Sequence, residues 1–205
     1  MGKGPTAGVI LAAGMSRRLG RTKQLLPLQN KCLLQWVVEA ALGSKLARVV
    51  LILGHEAQAI AEAMGEHLRH PRLDMVINER YIEGMGQSLR AGLLAVKDRF
   101  PSAMFLLGDQ PLMDSGTIDL LLERFWDSGK EICVLVHKGM RRNPAIFGQR
   151  FYAQLLAIEG DQGARHLIEA NPDDVLCVEV QNPLLFADVD TEEDLKELAA
   201  LLDTT

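Results

Sequence analysis

Val9-Ile10-Leu11-Ala12-Ala13-Gly14-Met15-Ser16-Arg17-Arg18-Leu19-Gly20-Arg21-Thr22-Lys23 is an apolar run that passes into a turn of small residues and then into cations. The continuous Val/Ile/Leu opening suits a strand buried on both faces. Ala12, Ala13 and Gly14 let the backbone come close to a ligand, and free N–H groups in such a turn cradle phosphate oxygens. Arg18 and Lys23 then reach the phosphates from the side. The loop is not a Walker A motif, because Lys23 follows Gly20 at a distance of three with no Gly-Lys-Ser/Thr. Nor does it carry Gly-x-Gly-x-x-Gly. A P-loop kinase and a dehydrogenase both lose ground. The bland alternative is a glycine turn with exposed cations.

Working outward, further apolar runs alternate with helical patterns. Strands are expected over residues 7–12, 49–53, 75–78, 103–107, 132–136, 145–147 and 175–180. Ala57, Ile60, Ala61, Met64 and Leu68 follow helical spacing, as do Ile118, Leu121, Leu122 and Phe125, and Leu195, Leu198, Ala199 and Leu202. Thr191-Glu192-Glu193-Asp194 reads as a capping box for the last of these, and another helix is expected over about residues 33–42. This alternation predicts an α/β fold: one domain, residues 1–205, with a mostly parallel, Rossmann-like sheet and helices on both faces. Beyond about residue 128 the strands shorten, with Asn143-Pro144 and Asn182-Pro183 as breaks. Residues 1–128 are therefore read as the nucleotide-binding part and 129–205 as the acceptor side. Ligands of open α/β sheets bind beyond the carboxyl ends of the strands. That rule selects the segments after Ala12, Leu53, Asn78 and Leu107, and after a strand near Phe186.

Composition excludes several classes. Apolar residues make up 48% and charged residues 24%, which is globular rather than disordered. The apolar runs are too short for a membrane span. Met1-Gly2-Lys3-Gly4-Pro5-Thr6 offers neither an apolar core nor a cleavage site, so no secretion leader is expected. Cys32, Cys133 and Cys177 are odd in number and far apart, which suits a reduced, cytoplasmic protein. A net charge of −5 argues against nucleic acid as a partner. The charge is unevenly spread, since Lys3, Arg17, Arg18, Arg21, Lys23 and Lys31 all precede the first acid, Glu39. Such a knot fits a nucleoside triphosphate, or else a solvated basic loop.

Phe105-Leu106-Leu107-Gly108-Asp109-Gln110-Pro111 puts a carboxylate just past a buried strand. Mg²⁺ is usually held by one or two carboxylates, with phosphates and water completing its octahedron. Asp109 fits that need, or merely ends a strand, as Asp114 would by capping the next helix. Asp188-Val189-Asp190-Thr191 precedes the last helix, and in an extended run Asp188 and Asp190 share a face. Asp190 is favoured as the second metal ligand. His55-Glu56 lacks a zincin's second histidine, and Ser16 lies outside a Gly-x-Ser-x-Gly elbow. Met64, Met75, Met104 and the two tryptophans read as core or semi-core.

Taken together, Leu11-Ala12-Ala13-Gly14-x-Ser16-x-Arg18-x-Gly20-x-x-Lys23, Gly108-Asp109-x-Pro111 and Asp188-Val189-Asp190-Thr191-x-x-Asp194-Leu195 resemble the MobA-like NTP transferases, over nearly the whole chain and in order. The resemblance implies a nucleotide-diphospho-sugar transferase type of fold. Within the family the chain is similar to the branch of molybdenum cofactor cytidylyltransferases. Asn78-x-x-Tyr81-x-x-Gly84-x-x-x-Ser88-Leu89 resembles the segment lining the base and ribose pocket. Asn143-Pro144-x-x-Phe147 and Gly160-Asp161-x-Gly163-Ala164-Arg165 resemble further signatures of that branch, the first on the molybdopterin side. Ala13 stands where guanylyl-transferring relatives carry a glycine, which leans toward CTP.

The resemblance thus implies transfer of CMP from CTP to the terminal phosphate of molybdopterin, with Mg²⁺ as cofactor. It implies nucleotide contacts at Leu11, Ala12, Ala13, Gly14, Arg18, Lys23, Asn78, Ser88, Gly108 and Asp109. Acceptor contacts fall at Asn143, Pro144, Asp161 and Arg165, and metal contacts at Asp109 and Asp190. Arg18, Lys23 and Asp109 would carry the chemistry. GTP or another phosphate acceptor, and a non-catalytic protein delivering cofactor to a client molybdoenzyme, stay open as alternatives.

Overall fold

A computed structural model of the chain describes residues 4–16 and 19–203. In chain order its elements are β1 (Thr6–Ala12), β2 (Pro27–Leu28), β3 (Lys31–Cys32), α1 (Leu33–Gly43), β4 (Arg48–Leu53), α2 (Ala57–Met64), β5 (Leu73–Ile77), α3 (Met85–Val96), β6 (Ser102–Leu107), α4 (Ser115–Ser128), β7 (Ile132–His137), β8 (Met140–Gly148), α5 (Tyr152–Leu156), α6 (Arg165–Ala170), β9 (Val175–Glu179) and α7 (Glu192–Asp203). Strands β2 and β3 form a small hairpin of their own. The other seven make one sheet in the order β5-β4-β1-β6-β8-β7-β9. Pairing is parallel from β5 through β4 and β1 to β6, and again between β7 and β9. Strand β8 alone runs against its neighbours β6 and β7.

The apolar runs explain the layers. Successive strand residues face opposite ways. Ile10, Leu51 and Leu106 pack on one face with Leu34, Ile60, Leu121 and Phe125 of α1, α2 and α4. Val9, Val50 and Phe105 pack on the other with Leu89, Leu93, Leu155 and Leu167 of α3, α5 and α6. Central strands covered on both sides have no solvent face to make polar, hence their unbroken hydrophobicity. The mostly parallel sheet with helices on both faces matches the expectation.

Several local expectations need correction. β5 starts at Leu73 rather than residue 75, and it lies at the sheet edge. Met75 and Ile77 are therefore 42% and 52% exposed, so Met75 is neither a core nor a semi-core residue. Helix α2 stops at Met64 because Gly65 takes a φ of +45°, and Leu68 falls in a 3-10 turn. Asn143-Pro144 does not end a strand. It lies within β8 as a bulge, since Val134 pairs with Ala145 while Leu135 pairs with Arg142, and its peptide bond is cis. The segment at Phe186 is a 3-10 turn, Pro183–Phe186, with Asn182 Oδ1 accepting from the Leu184 N–H. The hairpin β2–β3 and helices α3, α5 and α6 are absent from the sequence reading.

For the site, the decisive pairing is β1 with β6. Leu11 lies opposite Leu107, so the two strands end side by side and their loops emerge together.

Candidate functional site

The β1 loop is built by its contacts. Lys23 begins a 3-10 turn, Lys23–Leu25, and its backbone N–H donates to Ser16 Oγ at 3.2 Å. Gln24 turns inward, only 3% exposed, and its Nε2 donates to the carbonyls of Ala12 at 2.9 Å and Gly14 at 3.3 Å. On the β6 side, the Gly108 N–H donates to the Leu11 carbonyl at 2.9 Å. A Cβ at Gly108 would stand 2.7 Å from Ala12 Cβ, so only glycine permits this approach of the two loops.

Asp109 follows at once. Its Oδ2 accepts from Lys23 Nζ at 2.6 Å, and Asp190 Oδ1 accepts from the same ammonium at 3.1 Å. The Val189 N–H donates to the Asp109 carbonyl at 3.2 Å, which draws the segment before α7 against this loop. Asp194 Oδ2 accepts from the backbone N–H groups of Asp190 and Thr191, and the Asp194 N–H donates to Thr191 Oγ1 at 3.1 Å. The capping box thus fixes Asp190 as well as the helix start. Burial works against the charge on Lys23, but Asp109 foremost and then Asp190 outweigh it and raise its pKa above the ordinary lysine value.

Asp109 Oδ1 is buried with no hydrogen-bond partner. An orphaned carboxylate oxygen beside a second acid suits a hard cation. Among the described residues no group of three His, Cys, Asp or Glu could hold a metal. Two carboxylates with water and phosphate oxygens are the usual donor set for Mg²⁺ rather than zinc.

Two cavities open over this edge. The first, about 400 Å³, is lined by Leu11, Ala12, Ala13, Gly14, Lys23, Ser88, Gly108 and Asp109, with Gln24, Tyr81, Ile82 and Asp161 among its other walls. The second, about 350 Å³, has apolar walls from Leu89, Phe105, Val134, Phe147 and Phe186, with Arg141, Arg142, Asn143, Arg165 and Asp188 around them. Leu11, Met85 and Leu107 line both.

Asn143 and Arg165 therefore face the second cavity, whereas Asp161 lines the first and Pro144 lines neither. Asn78 stands behind the first cavity. It is buried, its Nδ2 donates to Ser88 Oγ at 3.1 Å, and its Oδ1 accepts from the Arg80 N–H at 3.1 Å. Arg18 lies outside the described residues. Asp188 and Asp190 diverge, one to the second cavity and one to Lys23. Arg21 and Lys31, which lack acids nearby in sequence order, pair with Glu192 and Glu39. The sequence reading missed Gln24, Arg141 and Arg142; the two arginines directly precede Asn143-Pro144, and their adjacency was the available signal.

Residues 8–175 match the family described as MobA-like NTP transferase domain. The molybdenum cofactor cytidylyltransferase of Escherichia coli is 24% identical over 91% of this chain and 91% of its own length. The nicotine blue oxidoreductase of Paenarthrobacter nicotinovorans is 30% identical over 93% of this chain and 95% of its own. Against the bifunctional protein GlmU of Pelobacter propionicus, 30% identical, the chain spans only 30% of the relative's length. Among solved structures, Rv0371c of Mycobacterium tuberculosis superposes with a TM-score of 0.83 at 29% identity, over 98% of this chain and 100% of that one. A manganese complex of the same protein gives 0.79 at 27% identity, over 96% of this chain and 99% of that one.

Proposed function

The chain belongs to the MobA-like NTP transferase family, and on that footing we propose that it joins CMP from CTP to the terminal phosphate of molybdopterin, releasing pyrophosphate. The observation that carries this reading is the pair of cavities meeting at Leu11, Met85 and Leu107. One has a small-residue loop, an ammonium and a carboxylate, which suits a metal-bound triphosphate. The other has apolar and aromatic walls, Phe105, Phe147 and Phe186 among them, and three arginines, which suits a phosphorylated acceptor with an apolar ring system. The likeness to the Escherichia coli cytidylyltransferase supports CTP and molybdopterin as the pair. On this reading residues 1–128 chiefly serve the nucleotide and 129–205 the acceptor.

An oxygen of the acceptor phosphate attacks the α-phosphorus, and the bond to the pyrophosphate oxygen breaks. Two anions must meet, so catalysis is positioning and charge stabilisation. Asp109 and Asp190 would hold Mg²⁺, which when bound neutralises the triphosphate. Lys23 sits by the α-phosphate, where charge builds. Arg18 takes the β- and γ-phosphates. Ser88, held by Asn78, faces the nucleotide. Arg141, Arg142 and Arg165 hold the acceptor phosphate. The nucleophile is already an anion near neutral pH, so no side chain need remove a proton.

The test is incubation with each α-labelled NTP, Mg²⁺ and molybdopterin, with chromatographic identification of the labelled product. Molybdopterin cytosine dinucleotide from CTP is expected. Transfer from GTP alone would overturn the base assignment. Transfer only to a sugar phosphate would overturn the acceptor. Release of no pyrophosphate under any of these conditions would leave a binding protein.

A further inference from the structure

We infer that Gln24 is the positioning residue of the phosphate cradle: its side-chain amide sets the direction in which the loop's backbone N–H groups point. This rests on the reading of the first cavity as a triphosphate site. A trans peptide directs its N–H opposite to its C=O, and the only cis bond among the described residues is Asn143-Pro144. Gln24 Nε2 holds the carbonyls of Ala12 and Gly14, at 2.9 and 3.3 Å. The intervening Ala13 carbonyl accepts from the His55 N–H at 3.3 Å, on a different element. Three successive carbonyls are thereby tied, and the amides of Ala13, Gly14 and Met15 have their directions fixed by those ties. Residues 12–15 line the first cavity.

The choice of side chain follows. An amide nitrogen carries two donor hydrogens, enough for both carbonyls. A carboxylate would oppose them, and an apolar chain would leave them untied in a place that is 3% exposed. A loop of Ala-Ala-Gly has no side chains with which to order itself, so its order comes from outside. Gln24 is next to Lys23, so one short turn sets both the ammonium and the amides.

The experiment compares Gln24→Met and Gln24→Glu with the parent protein in two measurements. The first is hydrogen exchange at the amides of residues 13–15 without ligand. The second is calorimetric affinity for Mn²⁺–CTP and, separately, for cytidine. Losing both amide hydrogen bonds predicts at least about tenfold faster exchange and at least about tenfold weaker Mn²⁺–CTP binding for Gln24→Met. Gln24→Glu is expected to lose more, and cytidine affinity to stay the same in both. Unchanged exchange in both variants would overturn the inference, as would equal losses for CTP and cytidine. If the parent protein binds no NTP, the triphosphate reading fails while the exchange data still decide whether Gln24 orders the loop. A variant that does not fold is recognised by its melting curve, and the other then carries the comparison.

Discussion

Asp109 and Asp190 share a single ammonium. Lys23 Nζ lies 2.6 Å from one carboxylate and 3.1 Å from the other. A divalent cation drawn to the same oxygens meets this ammonium as a like charge. A triphosphate relieves the conflict by giving Lys23 another partner, so metal and nucleotide should bind cooperatively. Lys23→Met is therefore expected to tighten Mn²⁺ binding in the absence of nucleotide, on the order of tenfold, and to abolish the gain in metal affinity that CTP brings. Calorimetry with and without CTP reads both effects; weaker Mn²⁺ binding in the variant would refute the argument. Turnover should fall about a hundredfold in Lys23→Ala, roughly 3 kcal/mol of transition-state stabilisation. The pH dependence has a fixed sign. A raised lysine pKa means the stabilisation is whole below the unfolded value of 10.5 and is lost as pH rises through the folded one. Lys23 thus adds no pH limb near neutrality, and a loss of melting temperature above pH 10.5 should be smaller in Lys23→Met.

At the level of elements, α3 shows what sequence patterning hides. Leu89, Leu93 and Val96 keep helical spacing and are buried, yet Gly86 and Gly92 dilute the helical signal. These glycines answer to tertiary contacts that the sequence does not display. A Cβ at Gly92 would stand 2.3 Å from Val9 Cγ1 on β1. The Gly86 N–H donates to the Gly160 carbonyl at 2.9 Å. Gly84, with φ +111°, would put a Cβ 2.4 Å from the Gly160 carbonyl carbon, against backbone that cannot rotate aside. The start of α3 and the 160–165 loop therefore form one unit, which sends Asp161 to the first cavity and Arg165 to the second. Gly84→Ala is expected to cost about 1–3 kcal/mol, at about 2–4 °C of melting temperature per kcal/mol for a chain of this size. Gly160→Ala meets no atom within 4 Å and bears only the strain of its φ of +64°, so it should cost less. Thermal melts of the two variants compare them directly, and the reverse order would show that the contact does not constrain the fold.

Across the whole molecule, the legible part of the site is the part that lies close in sequence to a strand end. Gly14, Lys23 and Asp109 follow β1 and β6, which are adjacent and parallel, so the rule for open sheets brings them to one edge and one cavity. The second cavity was less legible because it depends on the one reversed strand. β8 runs antiparallel to β6 and β7, and the start of β8 carries Arg141 and Arg142 to the same edge as the end of β6. No local pattern announces a reversal, since Asn143-Pro144 looks like an interruption until its bulge is seen. Both arginines are exposed, and neither has an ion pair among the described residues. Arg142 lies over the Phe186 ring at 5.8 Å, a contact that leaves its N–H donors at the rim, so the charge of both is available for an anion. Replacing both, Arg141→Ala with Arg142→Ala, should leave the melting temperature and the affinity for Mn²⁺–CTP unchanged while raising KM for the acceptor. Two charge-assisted hydrogen bonds to a phosphate, at about 1.5–3 kcal/mol each, predict a rise of at least tenfold. That rise should diminish in high salt, because exposed charges are screened. Steady-state kinetics with the acceptor varied at saturating CTP measure it. An unchanged acceptor KM beside a weakened CTP affinity would reverse the assignment of the two cavities, with the arginines then serving the nucleotide.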